Sequence, residues 1–480
     1  MVFNSINFVL FLPVVFLFYW YVTKGNLKFQ NIILLVSSYF FYACWDWRFL
    51  FLLIFSTLLD YYTGIKMSDA KGHSVKKKWF WLSISINLGF LGIFKYYNFF
   101  ATSFAEAVSN FGLHINPYTL SIILPVGISF YTFHGLSYVI DIYKGRITAE
   151  KNFINYSVFV SFFPLLVAGP IERATHLLPQ IQQPRKFNYD IAVSGIRQIL
   201  WGFFKKIAVA DFLASFVEKA FEKHMSLKGM EIITGVIYFS IQIYCDFSGY
   251  SDIAKGTAKL FGIELLDNFR FPYFSKNISE FWRRWHISLS SWFRDYIYIP
   301  LGGSKTSNFL ALRNVLIVFL LSGFWHGAKW TYIFWGLYHG ILFLPMFLKK
   351  KQKNDIDIVK NTFFVFPSFK NFCQIMFTYL LVNIGWIFFR SDNMRQSISI
   401  LQSIVKNNFL PTNFRFFDFF GVLVILYLFF FEWLNKEKSF GLDIASYPKY
   451  LRRFIYITTI FLIYLMYSPQ ANSTFIYFQF

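Results

Sequence analysis

The stretch VLIVFLLSGFWHGAKWTYIFWGLYHGILFL at residues 315–344 contains two apolar runs that meet around His326. The runs at 310–325 and 329–348 approach the length with which an α-helix crosses an apolar core about 30 Å thick. Gly323 and Gly327 flank His326, and a helix break at membrane depth persists only beside protein or a water-filled cavity. The stretch therefore predicts two packed membrane helices with His326 at the break, on the floor of a polar pocket.

Similar apolar runs fill most of the chain. Of its 480 residues, 56% are hydrophobic and 23% aromatic, well above soluble averages. We predict an all-α, polytopic integral membrane protein with roughly 11–13 spans and short re-entrant or amphipathic helices. It would be a single domain over 1–480, with N-terminal helices at 1–165, a central section at 166–348 and C-terminal helices at 349–480. The other predicted spans are 6–23, 30–45, 48–63, 79–100, 118–142, 153–169, 370–389, 417–434 and 452–468.

Charge predicts the orientation of these spans. The formal net charge is +21, but Lys and Arg cluster in short loops between apolar runs, which indicates the positive-inside rule and not nucleic-acid binding. The loop 66–78 contains five lysines, whereas 101–117 contains no Lys or Arg. We therefore expect 66–78 inside and 101–117 outside, with the N-terminus extracytoplasmic. The lysines of 349–353 mark another inside loop, and the first apolar run should be a retained span because it lacks a basic leader.

Two further segments place polar groups among apolar residues. FWRRWHISLSSWFRDYIYIPLGG at 281–303 carries His286, and VIYFSIQIYCDFSGYSDIAKGTAKLFG at 236–262 carries Gln242, Asp246 and Ser248. Such side chains are costly at membrane depth, so they should face protein or a wet cavity. For each histidine, a buried structural role remains the alternative to a chemical one. His134 suits a structural role, and His339 has neither an HExxH motif nor i, i+4 spacing from His326 to indicate a metal site.

Four segments together resemble the membrane-bound O-acyltransferase family, in its bacterial branch of alginate, exopolysaccharide and peptidoglycan O-acetylation proteins. In chain order they are VAGPIERATHLLPQI at 167–181, YCDFSGYSDIAKGTAKLFGIELLDNFRFPY at 244–273, SEFWRRWHISLSSWFRDYIYIPLGGS at 279–304 and SGFWHGAKWTYIFWGLYHG at 322–340. The resemblance covers the central part of the chain, and it implies that the section 166–348 is a catalytic core and that the helices surround a central tunnel.

The resemblance implies a membrane O-acyltransferase with His326 at the family's catalytic histidine position and His286 at its second, more variable one. A neutral imidazole suits the general base that a hydroxyl acceptor needs. His286 would line the tunnel or orient the donor or the base. The arginines near it, with Asp295, would lie near the phosphates of a CoA donor or act as an interfacial anchor beside the tryptophans. The residues expected along the tunnel are Arg294, Asp295, Trp325, Asp246, Ser248 and Gln242.

The resemblance also implies partners and a location. The donor would be cytosolic acetyl-CoA, with no permanently bound cofactor and no metal, and the acceptor an extracytoplasmic polysaccharide reached through a separate acetyltransferase. The protein would lie in the bacterial cytoplasmic membrane among its lipids. Few residues are predicted outside, and the uncharged tail 468–480 could contact a partner or the membrane interface. The alternatives are D-alanyl transfer to teichoic acids and, from another class, a carrier or flippase, although the inverted repeats typical of transporters are not evident.

Overall fold

The computed structural model describes residues 1–166, 169–348, 367–410 and 419–467, and every regular element in those ranges is helical. The chain forms two compact units, Met1–Ile196 with Ala254–Leu266, and Arg197–Ile253 with Asp267–Phe480. Each unit thus draws on two separate segments of the chain. The single domain predicted from the sequence, with its sections at 1–165, 166–348 and 349–480, stays a prediction.

The first unit contains the N-terminal helices. Side-chain caps begin several of them, with Asn26, Asp46 and Asn152 accepting hydrogen bonds from otherwise unpaired backbone N–H groups. Two short π-helical segments, Phe18–Val22 and Gly92–Tyr96, extend α1 and α4. The helices are α1 Ile6–Leu17, α2 Leu27–Ala43, α3 Trp47–Ser68, α4 His73–Leu91, α5 Tyr97–Ser109, α6 Ile128–Tyr143, α7 Phe153–Ser161, α8 Phe163–Leu166 and α9 Ala174–Ile181.

Two helices, α10 Tyr189–Phe203 and α12 Gly229–Leu260, begin in one unit and end in the other. Non-α segments interrupt the second unit: π-helical turns at Phe204–Asp211 and Arg294–Tyr298, and a 3₁₀ turn at Pro272–Phe274. Its other helices are α11 Phe212–Glu222, α13 Ile278–Arg284, α14 Ile287–Phe293, α15 Asn308–His326, α16 Trp330–Leu348, α17 Phe369–Arg390, α18 Met394–Lys406, α19 Phe419–Leu434 and α20 Lys449–Met466.

Among the described residues, four helices are both long and apolar enough to cross a membrane: α3, α12, α15 and α17. Shorter apolar helical stretches cover Ile6–Val22, Phe153–Leu166 and Phe419–Leu434. Together they fit a polytopic membrane protein. Helix α12 carries several polar side chains among its apolar residues. It is almost entirely buried, so these polar side chains face protein, as predicted. The basic cluster 349–353 and the tail 468–480 lie outside the described residues.

Three predicted boundaries are wrong. The span predicted at 118–142 is helical only from Ile128, because Pro125 and the left-handed Gly127, at φ +75°, hold the preceding backbone out of the helix. The span predicted at 153–169 is two short helices that break at Phe162, ahead of Pro164. The loop predicted at 101–117 is helical as far as Ser109.

Helices α15 and α16 pack through glycines. A side chain at Gly323 of α15 would collide with the backbone carbonyl of Tyr332, and one at Gly336 of α16 would collide with that of Phe319. The two backbones therefore approach closely, as small residues permit. The helix break predicted at His326 is confirmed, since α15 ends there and Gly327 follows in extended backbone.

Candidate active site

The two histidines that stand out in the sequence face each other in the second unit. The ring of His286 lies 6.2 Å from the ring of His326, measured between centroids. The side chains come from different elements, since His326 ends α15 and His286 immediately precedes α14. Both residues are almost fully buried, at 1% and 2% exposure. Ionisable groups buried together at a helix break mark a candidate site of function in a membrane protein.

Aromatic rings surround this pair of histidines. Trp325 contacts both histidines, with centroid distances of 5.7 Å to His286 and 5.0 Å to His326. Trp335 and Phe389 pack edge-on against His326 at 5.1 and 5.3 Å. Such contacts are ordinary aromatic packing distances, and together they fix the orientation of the His326 ring.

His286 has an unusual backbone. It caps α14 at φ 43° and ψ 53°, the left-handed region that a residue with a Cβ seldom occupies. Trp285 before it is held by the end of α13, through its N–H to the carbonyl of Phe281 at 2.8 Å. Phe247 of α12 packs edge-on against the imidazole at 4.7 Å. The chain therefore turns sharply between α13 and α14 and directs His286 into the aromatic site.

A buried ion network holds two of the predicted tunnel residues. Asp246 lies 2.7 Å from the ammonium of Lys206, and the Ser248 hydroxyl accepts a hydrogen bond from Lys205 at 2.9 Å. Lys205 also pairs with Asp252 at 2.5 Å. Asp246 and Ser248 thus bond to lysines that were not among the predicted site residues. Two adjacent lysines in an otherwise apolar segment, preceding a helix with buried acids, were the signal that could have identified them.

The remaining predicted tunnel residues differ in environment. Gln242 is buried on α12, and its side-chain oxygen has no hydrogen-bond partner among the described residues. Arg294 and Asp295 pair with each other at 2.8 Å on the π-helical turn after α14, and the Arg294 side chain is 63% exposed. Trp325 is the predicted tunnel residue that lies directly against both histidine rings.

Two other histidines occupy separate environments. His339 is fully buried on α16, with its ring 5.1 Å from that of Trp335, which also contacts His326. In the first unit, His134 accepts a hydrogen bond from the N–H of Glu172 at 3.0 Å, which agrees with the structural role expected for it. The Glu172 carboxylate bonds to His176 at 2.8 Å, and this hydrogen bond raises the pKa of His176 above its ordinary value.

No group of three or more His, Cys, Asp or Glu side chains in the described ranges is arranged to hold a metal ion. What the site offers is an imidazole pair in an aromatic enclosure. Within such an enclosure a neutral imidazole can accept a proton from a bound hydroxyl, and a low-dielectric setting strengthens that interaction.

Comparison with known proteins identifies the class of chemistry. Residues 146–389 match the model of MBOAT, the membrane-bound O-acyltransferase family. The chain is 40% identical over 398 residues to "Probable alginate O-acetylase AlgI" of Pseudomonas aeruginosa, covering 82% of this chain and 73% of the relative. It is 35% identical over 437 residues to "Peptidoglycan O-acetyltransferase" of Helicobacter pylori, covering 85% and 80%.

A more distant similarity links the chain to an enzyme named for D-alanyl transfer to teichoic acid, the alternative reaction predicted from the sequence. "Teichoic acid D-alanyltransferase" of Bacillus subtilis is 32% identical over 232 residues, covering 45% of this chain and 57% of the relative. None of these three relatives is named as a carrier or flippase. The enzyme class predicted from the sequence is confirmed, and this chain is a multi-pass membrane O-acyltransferase that belongs to the MBOAT family.

Proposed function

We propose that this protein moves an acetyl group from cytosolic acetyl-CoA toward hydroxyls of an extracytoplasmic polysaccharide, which a separate extracytoplasmic transferase finally acetylates, with His326 as general base. The observation that carries the proposal is the buried pair of His286 and His326 rings, 6.2 Å apart at a helix break, in an enzyme of this family. The choice of acetyl and of a glycan is supported by relatives named for alginate and peptidoglycan O-acetylation. The location would be the bacterial cytoplasmic membrane, with the N-terminus outside.

The reaction needs one base. An imidazole nitrogen of His326 removes the proton of the hydroxyl that first receives the acetyl group, as the oxygen of this hydroxyl attacks the thioester carbonyl carbon. The carbon–sulfur bond then breaks, and the imidazolium returns the proton to the leaving thiolate, so the products are an O-acetyl ester and free CoA. Thiols, with pKa values of about 8.5, leave more readily than sugar hydroxyls, which makes the transfer favourable. A positioned base of this kind contributes about 10²–10⁴-fold to the rate.

The aromatic enclosure supports a short acyl group. Trp325, Trp335 and Phe389 all pack within 5.3 Å of the His326 ring, between centroids. Behind them, Trp386 packs against Trp335 at 5.8 Å and against Phe389 at 5.3 Å. A long acyl chain would have to displace these close-packed rings, which is costly in a well-packed interior. Acetyl is therefore the donor group that this arrangement favours.

The remaining predicted residues have supporting parts in the proposal. His286 orients the donor or the base from across the site. Arg294, which is largely exposed, is available to the phosphates of CoA if its pairing with Asp295 is exchanged for a phosphate contact. Gln242, Asp246 and Ser248 belong to α12, and Trp325 packs against both histidine rings. No permanently bound cofactor is proposed.

The test compares two buried histidines by substitution. His326→Gln and His339→Gln are each expressed in the native host after deletion of the gene, and base-labile acetate is measured on isolated surface polysaccharide and on peptidoglycan. We expect His326→Gln to abolish acetylation of one of these polymers and His339→Gln to retain it, because both rings are buried but only His326 faces His286. Glutamine keeps most of the side-chain volume. Near-normal acetylation by His326→Gln would contradict the base assignment.

A second experiment addresses the proposed partner. Liposomes carrying the purified protein, with labelled acetyl-CoA inside and polysaccharide outside, should acetylate the polymer poorly until extracytoplasmic extract from the host is added. The few residues predicted outside leave little surface for a polymer, which is the reason for this expectation. Full acetylation by the protein alone would contradict the relay and make the protein a complete transferase.

A further inference from the structure

The left-handed backbone of His286 requires an explanation. Among the described residues, only Lys24, Phe271 and His286 have positive φ without being glycine. Such a conformation is strained for a residue with a Cβ and persists only where the surrounding structure fixes it. Two of these three residues are near Asn268, which is buried. Phe271 follows Asn268 closely in the chain, and His286 is next to Ile287, which bonds to Asn268.

Asn268 binds the elements on both sides of His286. Its side-chain NH₂ donates to the hydroxyl of Ser251 on α12 at 3.1 Å. Its side-chain oxygen accepts from the hydroxyl of Ser288 on α14 at 2.5 Å. Its backbone oxygen accepts from the N–H of Ile287, the residue that follows His286, at 2.9 Å. Asn268 is 1% exposed, so these hydrogen bonds do not compete with bulk water.

These hydrogen bonds lie at the start of α14, where they hold the backbone next to His286. The N–H of Ile287 is among the first of α14, and such groups have no partner within their own helix. Asn268 supplies that partner through its backbone oxygen, while its side chain holds Ser288 one residue later. The start of α14 is therefore fixed at two adjacent residues, and the backbone of His286 must turn through the left-handed region to enter the helix.

The hydrogen bond from Asn268 to α12 also bears on the position of the His286 ring. Ser251, which Asn268 holds, lies on the same helix as Phe247, and Phe247 packs edge-on against the His286 ring at 4.7 Å. Asn268 thus fixes both the backbone of His286, through α14, and the helix that contacts its ring, through α12.

We propose that Asn268 is a positioning residue that holds His286 in its left-handed conformation and so directs its ring toward His326. This rests on the proposed function for its effect on catalysis, but the conformational part does not. Asn268 needs no contact with donor or acceptor. Without its side chain, the hydrogen bonds to Ser251 and Ser288 are lost, His286 relaxes to a right-handed or extended backbone, and its ring leaves the position opposite His326.

The experiment first measures the conformation and then the rate. Hydrogen exchange is followed by mass spectrometry on a peptide covering 281–293 in wild type, Asn268→Ala, Ser288→Ala and Asn435→Ala. Asn435 is the matched control, because it is equally buried in the same unit and bonds the backbone oxygens of Phe431 and Gly441. We expect faster exchange in this peptide for Asn268→Ala and Ser288→Ala but not for Asn435→Ala. Unchanged exchange in Asn268→Ala would overturn the proposal, whatever the activity.

Kinetics then separate positioning from simple destabilisation. With acetyl-CoA as donor, we expect Asn268→Ala to lower kcat by about 10²-fold, the scale of a small misplacement of a catalytic group, with KM for acetyl-CoA little changed. Asn268→Asp keeps the acceptor for Ser288 and should restore most of the rate. In a His286→Ala background, Asn268→Ala should cause no further loss. Losses that multiply in the double variant would overturn the positioning role.

The outcomes distinguish this inference from the proposed function. If the wild-type protein does not transfer acetyl from acetyl-CoA, the proposed function fails while the exchange result still decides whether Asn268 fixes the turn. If the wild type is active and Asn268→Ala is equally active, the positioning role fails while the proposed function stands. Should Asn268→Ala not fold, Ser288→Ala removes one hydrogen bond alone and gives the same contrasts.

Discussion

At the residue scale, the two histidines of the site have different proposed tasks. His326 ends α15 and is surrounded by Trp325, Trp335 and Phe389, whereas His286 reaches the site from a strained turn. We expect His286→Ala to lower kcat less than His326→Gln, because His286 orients and His326 moves the proton. The measurement is acetyl-CoA turnover of the purified variants in liposomes, with polysaccharide and extracytoplasmic host extract on the outside. Equal and complete losses with intact folding would indicate a mechanism in which both histidines transfer protons.

A second prediction at this scale concerns donor length. Trp335 is fully buried and packs against His326, so Trp335→Ala should open space beside the base. We expect acetyl transfer to fall and transfer from butyryl-CoA to rise relative to acetyl-CoA. Initial rates with acetyl-, propionyl- and butyryl-CoA measure the ratio. Trp201→Ala is the control, because Trp201 is equally buried but packs against Phe204 and Phe431. An unchanged ratio in Trp335→Ala would place the acyl group elsewhere.

At the element scale, the π-helical segment Phe204–Asp211 explains the ion network. A π-helix brings residues five apart onto one face, and Lys206 accordingly pairs with Asp211 at 2.7 Å. Just before this segment, Gly202 lies against Gly249 of α12, and a side chain at Gly202 would crowd the Gly249 carbonyl. Because glycine has no side chain, the two backbones come into close contact and the segment reaches α12. Lys206 thereby meets Asp246 as well, at 2.7 Å.

The pairing of Lys206 with two aspartates predicts that removing its ammonium lowers the stability of the folded protein strongly. Lys206→Met removes the buried ammonium with which both Asp211 and Asp246 pair, and breaking a buried pair costs about 3–5 kcal/mol. We expect a marked fall in the unfolding temperature of the detergent-solubilised protein, partly reversed by adding Asp246→Asn. Arg48→Met, which removes an exposed ion pair with Asp46, should change it little. A small effect of Lys206→Met would mean that water already reaches the network.

At the scale of the whole molecule, membrane orientation decides the side from which donor enters. We expect a cysteine at position 116, in the predicted outer segment, to react with an impermeant thiol reagent in intact cells, and one at position 74, in the lysine-rich segment, to react only after lysis. The background carries Cys44→Ser and Cys373→Ser, because both native thiols are exposed. The lysine asymmetry between the two segments is the physical reason. The opposite pattern would invert the proposed orientation.

Much of this whole-molecule organisation could be predicted from the sequence. Apolar run length determined the helices because a helix satisfies its own backbone hydrogen bonds in lipid, so most predicted spans correspond to observed helices. Two of the three errors fall beside prolines: one helix begins only after Pro125, and the break at Phe162 precedes Pro164, which lies in the first turn of the next helix. The third error is the loop predicted at 101–117, which is helical as far as Ser109. The four quoted motifs indicated the family, and all four lie within residues 146–389, which match its model.

The sequence by itself determined the class of fold, the enzyme family and His326 as a candidate residue, because apolar patterning and local motifs act over short stretches of chain. Only the tertiary structure decided which groups meet. The pairing of His286 with His326 depends on a left-handed turn, and Asn268 in another segment fixes the helix that follows it. The pairing of Lys206 with Asp246 depends on the close approach of Gly202 and Gly249. Such contacts join residues distant in the chain, and no local pattern specifies them.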